Sequence, residues 1–171
     1  HQIMIIRVAF FSLLMGLTGL QGCLNVDPPC TQKLPANLLA YIDTNRLSSD
    51  GTTIDNWLVA NNLTAEKDQT GLRYTITNPG TGKSPCLETS ITFTYTGKFL
   101  STGKVFDSSA TPVQYPLNNL IIGWQIGILK LKEGGSAVFY IPSELAYGSA
   151  GNNVIPPNSI LIFELTLVKV L

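Results

Sequence analysis

The sequence predicts an α+β domain, a twisted antiparallel β-sheet wrapped around one short helix, with a short helical N-terminal extension. Three observations carry this. From Gly71 onward apolar and polar residues alternate with the period of half-buried strands, as in Ser90-Ile91-Thr92-Phe93-Thr94-Tyr95-Thr96-Gly97. One later run, Leu120-Ile121-Ile122-Gly123-Trp124-Gln125-Ile126-Gly127-Ile128-Leu129-Lys130-Leu131, is almost wholly apolar instead. There Trp124, Ile128 and Leu131 share one helical face, and Leu120, Ile121, Ile126 and Leu129 fill the other directions. A helix apolar on nearly every side must be enclosed, and strands are what flank it. Ahead of Gly71, finally, the apolar spacing is helical.

Length and charge narrow the function. The 171 residues suit one domain with appendages. Eleven basic side chains balance eleven acidic ones without a basic stripe, which argues against a nucleic-acid partner. Thr, Ser and Asn supply much of the polar surface, a composition that fits an exported protein. His1 is the only histidine, so the chain offers no metal site and implies no cofactor.

Residues 1–22 read as a leader. Arg7 precedes the short apolar run Val8-Ala9-Phe10-Phe11-Ser12-Leu13-Leu14-Met15-Gly16-Leu17, which is shorter than a comfortable membrane span. The run ends in Leu20-Gln21-Gly22-Cys23, which resembles the bacterial lipoprotein box. That resemblance implies lipidation of Cys23 and attachment to a membrane of the cell envelope; the alternative is an ordinary secretory leader with an incidental cysteine. Leu24 stands where some Gram-negative lipoproteins carry an inner-membrane retention Asp, so in such a source the anchor would sit in the outer membrane, facing periplasm or surface. Residues 23–33, with Pro28 and Pro29, form a tether. Cys30 and Cys86 are then left either to pair, as export permits, or to remain two free thiols.

Residues 34–70 form the helical extension. Leu34, Leu38, Leu39, Tyr41, Ile42 and Leu47 lie at helical spacings behind Pro35. Ser48-Ser49-Asp50-Gly51 reads as a turn, and Thr52 with Asp55 as a capping box opening a second helix through Asn61. The two helices pack on the main domain, form a stalk or dimerise. Residues 71–171 form that domain: strands at 72–76 and 90–97, a turn at Ser101-Thr102-Gly103-Lys104, short strands at 105–107 and 113–117, the central helix, then strands at 137–141 and 160–171.

Thr94-Tyr95-Thr96-Gly97, Val105-Phe106-Asp107-Ser108-Ser109, Leu120-Ile121-Ile122-Gly123-Trp124, Ile141-Pro142, Ala146-Tyr147-Gly148, Ile155-Pro156-Pro157-Asn158 and Leu161-Ile162-Phe163 occur together and in order. In this the chain resembles the FKBP-type peptidyl-prolyl cis-trans isomerases. The resemblance implies the FKBP-like sheet over a helix, and an activity needing no nucleophile, metal or general base. A cavity that holds the twisted X–Pro amide more tightly than either planar form lowers a barrier of about 18–20 kcal/mol. It implies catalytic roles for Asp107, Tyr147, Phe163 and Trp124, with Trp124 as the floor under the proline ring. Tyr95, Phe106, Val113, Leu120, Ile121 and Ile155 would bind substrate, the Ile121 N–H and the Tyr147 hydroxyl each holding a carbonyl. Proline-containing envelope polypeptides are the implied substrates and macrolides the implied inhibitors; the other reading is a non-catalytic FKBP-like binding or chaperone module in an envelope assembly. Two departures keep that second reading open. Val113 falls where many relatives carry an aromatic pocket residue, and the loops from there to Trp124 and from Gly148 to Ile155 are shorter than usual.

Overall fold

The structure, a computed structural model, describes residues 30–171. The leader, Cys23 and most of the tether lie outside the described residues. The order is α1 (Ala36–Leu39), α2 (Thr44–Ala60), β1 (Glu66–Lys67), β2 (Arg73–Asn78), β3 (Ser90–Phe99), β4 (Val105–Pro116), α3 (Ile122–Ile128), β5 (Ser136–Ile141) and β6 (Leu161–Val170). The six strands form one sheet in the order β1-β2-β5-β6-β3-β4, and every neighbouring pair is antiparallel.

Strand alternation divides the buried residues between two faces. Phe139 and Ile141 of β5 and Leu161, Phe163, Leu165 and Leu167 of β6 join the main core with α3. Their neighbours Tyr140 and Ile162 turn the other way, into a smaller cluster with Ile54 and Leu58 of α2. The main core is therefore sheet on α3, as the apolar run requires. Ile128 and Leu131 are almost wholly buried, each such side chain contributing roughly 1.5–3 kcal/mol.

The helical extension departs from its sequence reading. Instead of one helix over 34–47, α1 is a single turn, and α2 starts afresh behind Asp43, whose carboxylate accepts the Asn45 and Arg46 N–H groups at 2.9 and 3.1 Å. Instead of turning at residues 48–51, the chain runs through them as α2. Thr52 caps nothing; its hydroxyl donates to the Ser48 carbonyl at 3.1 Å. Asp55 meets Arg73, whose guanidinium donates from Nε at 2.8 Å and Nη2 at 2.6 Å, and to the Gly71 carbonyl at 2.7 Å. That guanidinium explains Gly51, since a Cβ there would lie 2.6 Å from Arg73 Nη1. The turn-forming pair Asp50-Gly51 is thus kept helical by tertiary contacts that use both residues. Of the three arrangements open to the extension, the structure shows packing on the domain, with β1 added as an edge strand.

Two further differences bear on the site. The runs at 105–107 and 113–117 are one strand, β4, ending in a 3-10 turn at Leu117–Asn119. Its register against β3 jumps from Phe93 opposite Val113 to Tyr95 opposite Ser109, a bulge that re-aims the end of the strand. The central helix is also shorter than residues 120–131, leaving Leu120 and Ile121 in extended conformation before its first turn. Cys30 and Cys86 form a disulfide with Cα atoms 5.1 Å apart. It ties the tether to the loop before β3, beside the Leu87 N–H donating to the Thr31 carbonyl at 2.9 Å.

Candidate active site

On the inner face, β3, β4 and β6 pass over the first turn of α3 and enclose a cavity of about 290 Å³. Trp124 is its floor. The indole is met edge-on by Phe163 (centroids 4.9 Å, 85°), Phe93 (5.0 Å, 88°) and Tyr95 (5.3 Å, 72°). Phe106 stands on Phe163 at 5.6 Å and 89°. Such offset and T-shaped pairs contribute about 0.5–1.5 kcal/mol each beyond their burial, so the floor is stiff. Gly97 permits the last pair: a Cβ there would lie 2.6 Å from the Phe163 ring and 2.7 Å from that of Phe106. Ile121 caps α3, its carbonyl accepting the Trp124 N–H at 2.9 Å. Another hollow, of about 450 Å³ on the outer face, is more open and lined largely by Thr and Ser, with no aromatic floor.

Polar groups of Tyr95, Asp107, Tyr147 and Ile121 edge the aromatic cavity. The Tyr95 hydroxyl donates to Asp107 Oδ2 at 2.7 Å. Burial first, and then that hydrogen bond to an anion, push the Tyr95 phenol far above its ordinary value. Burial also raises the Tyr147 phenol, with the Asp107 charge adding to it. No hydrogen bond among the described residues uses the Tyr147 hydroxyl or the Ile121 N–H. Tyr147 is therefore a protonated, unspent donor at the cavity, and Ile121 stands on the rim with its amide equally unspent. Trp124 Nε1 is buried without a hydrogen-bond partner among the described residues. Among the described residues no three His, Cys, Asp or Glu side chains gather as a metal site.

Tyr95, Phe106, Asp107, Leu120, Ile121, Trp124, Tyr147 and Phe163 all line this cavity. Val113 and Ile155 do not, which corrects the sequence reading of both. Val113 lies opposite Phe93 and packs half-buried on the core. Because of the β4 bulge, Tyr115 takes the aromatic place at the mouth, its ring 6.2 Å from that of Phe93. Ile155 is 3% exposed and belongs to the core, its N–H donating to Asn152 Oδ1 at 2.7 Å. Phe163, also 3% exposed, is core as well as wall, which leaves exposed Asp107 as the cleaner functional probe.

Sequence reasoning missed Gln125. Its buried side chain donates to the carbonyls of Asn118 at 3.2 Å and Leu120 at 2.7 Å, pinning the segment that carries Leu120 and Ile121. The available signal was a lone amide inside an apolar helix, a group that must find partners.

The sequence profile of FKBP-type peptidyl-prolyl cis-trans isomerases matches residues 82–168, more than half of the chain. The chain belongs to that family. A probable FKBP-type peptidyl-prolyl cis-trans isomerase FkpA of Neisseria meningitidis is 47% identical over 104 residues, covering 58% of this chain and 38% of the relative. The peptidyl-prolyl cis-trans isomerase Mip of Coxiella burnetii is 39% identical over 119 residues, covering 63% of this chain and 51% of the relative. The chain thus spans about half or less of the length of these FKBP relatives. Among solved structures, FkpA from Escherichia coli superposes with a TM-score of 0.65 at 30% identity, covering 79% of this chain and 63% of that one. A peptidyl-prolyl cis-trans isomerase from Pseudomonas syringae gives 0.62 at 26% identity, covering 81% and 97%.

Proposed function

We propose that this chain accelerates cis–trans isomerisation of X–Pro bonds in exported polypeptides. The observation that carries the reading is the Trp124 floor, walled by Tyr95, Phe106 and Phe163 and open above. A planar amide is held in its dipolar form by resonance; twisting removes that resonance and leaves a less polar unit. An apolar cavity therefore favours the twisted state over both planar forms, and that difference lowers the barrier. The proline ring lies on Trp124. The Tyr147 hydroxyl and the Ile121 N–H hold flanking carbonyls, fixing one side of the bond while the other rotates. Asp107 acts at the cavity edge, where it orients Tyr95 through their hydrogen bond. A macrolide would compete for the same floor.

The test is a peptide isomerisation assay on the chain. Acceleration lost in Trp124→Ala and weakened in Asp107→Val, with both variants folded, supports the reading. A folded wild type that binds proline peptides without accelerating them makes the protein a binding module and overturns it.

The leader and Leu20-Gln21-Gly22-Cys23 support a further part of the reading: Cys23 carries lipid and holds the domain at an envelope membrane. Metabolic labelling with a fatty acid then depends on Cys23; equal labelling of Cys23→Ala removes the anchor.

A further inference from the structure

Helix α2 reaches across to the turn that carries Tyr147. Asp50 is 3% exposed, and its Oδ2 accepts both the Ser143 N–H, at 2.8 Å, and the Ser143 hydroxyl, at 2.5 Å. Ser143 is wholly buried, and its carbonyl accepts the N–H groups of Ala146 at 3.0 Å and Gly148 at 2.8 Å. Those two amides bracket Tyr147. A second strap runs alongside, from the Asp43 N–H to Glu144 Oε2 at 3.2 Å. Arg46 Nη1 lies 3.9 Å from Asp50 Oδ1 and offsets part of the buried charge.

We propose that Asp50, on the N-terminal extension, is a positioning residue for the active site: through Ser143 it holds the turn that presents the Tyr147 hydroxyl to the cavity. The inference rests on the isomerase reading above for its kinetic consequence and on geometry alone for its structural one. Helix docking needs no carboxylate here, since Ile54 and Leu58 supply an apolar face. A buried carboxylate is a costly acceptor unless its charge-assisted hydrogen bonds are wanted. Without Asp50, the Ser143 N–H and hydroxyl are both buried and lack an acceptor, so the turn relaxes to find new ones. Tyr147 then loses its aim while the aromatic floor stays in place. The effect on turnover has a ceiling, because Asp50 acts only through Tyr147. It cannot exceed the loss caused by deleting the Tyr147 hydroxyl.

The experiment combines kinetics with amide hydrogen exchange on the full chain. Tyr147→Phe lowers kcat/KM by about two- to tenfold, the range of one neutral hydrogen bond. Asp50→Ala lowers it by no more than that, and the two changes together fall no further than Tyr147→Phe alone. Asp50→Asn, which keeps one acceptor oxygen, recovers part of the loss and carries the test if Asp50→Ala does not fold. The amides of Ala146 and Gly148 exchange about tenfold faster or more in the Asp50 variants, with the strand amide of Leu165 unchanged. Losses that multiply in the double variant overturn the proposal, as do unchanged amides at Ala146 and Gly148. A wild type without isomerase activity defeats the proposed function, and the exchange result still decides whether Asp50 holds the turn.

Discussion

The two faces of the sheet solve burial in opposite ways. Beneath α2 on the outer face, polar groups that are buried are also spent. Arg73 is forked onto Asp55 and the Gly71 carbonyl, and Asp50 takes both donors of Ser143. Over α3 on the inner face, the half-buried Tyr147 hydroxyl and Ile121 N–H have no hydrogen-bond partner among the described residues, beside a cavity ringed with aromatic groups. Satisfied burial makes a joint. Donors left unspent beside an apolar opening suit a binding site, because a ligand can bring the acceptors.

Deletions on the two faces separate these roles most strongly. Trp124→Ala costs about 3–5 kcal/mol of stability and removes activity together with it. Leu58→Ala, on the outer face, costs about 2–5 kcal/mol but leaves kcat/KM of the folded protein unchanged. Denaturant titration paired with the isomerisation assay reads both, and an equal loss of activity in the two variants would erase the distinction. Next in size is the disulfide. Cys86→Ser removes a link across a sequence separation of 56 and lowers stability by about 4 kcal/mol in the loop-entropy account, with activity retained. Mass spectrometry with and without reductant confirms the bridge first.

Tyr95→Phe should act almost wholly on the inner face. It removes the hydrogen bond to Asp107 and lowers kcat/KM by about two- to tenfold, with a change in midpoint denaturant concentration too small to account for it. The smallest effect is in the pH dependence. The hydrogen bond from Arg73 lowers the Asp55 carboxyl against a partial penalty from burial. For Asp68, burial works upward, yet the hydrogen bond from Lys130 and those from Thr70 together leave it lowered. A depressed carboxyl stabilises the fold above its unfolded value, near 4, and that stability is lost as pH falls through the folded value. Asp55 is half exposed, so screening limits its share to about 1 kcal/mol or less. Asp55→Asn therefore flattens the acid limb of a stability curve slightly. At the other end, Tyr95 and Tyr147 are raised, chiefly by burial, so their stabilisation is complete below about pH 10 and lost above it. Alkaline denaturation of Tyr95→Phe should accordingly begin less steeply.

Local pattern and tertiary contact can be told apart residue by residue. Alternation in β3, β5 and β6 and the apolar run of α3 were legible, because a strand or helix with one buried face writes its own period into the chain. Most cavity residues were legible through ordered family motifs. Tyr115 was not, since a bulge in β4 shifts register without leaving a local composition signal. Ile155 was misread for a similar reason: its motif lies beside the cavity in sequence order, but its side chain turns into the core.

The sheet-on-helix architecture follows from periodicity in the sequence alone, whereas the aromatic set around Trp124 was legible only through the resemblance of its ordered motifs to the family. The tertiary structure alone decided where the extension goes. Residues 48–51 carry turn-forming side chains, and the contacts that use Asp50 and Gly51 within the helix come from distant parts of the chain. Arg73 lies over Gly51 and Ser143 is bound to Asp50, contacts made across 22 and 93 residues of chain that no window of sequence contains.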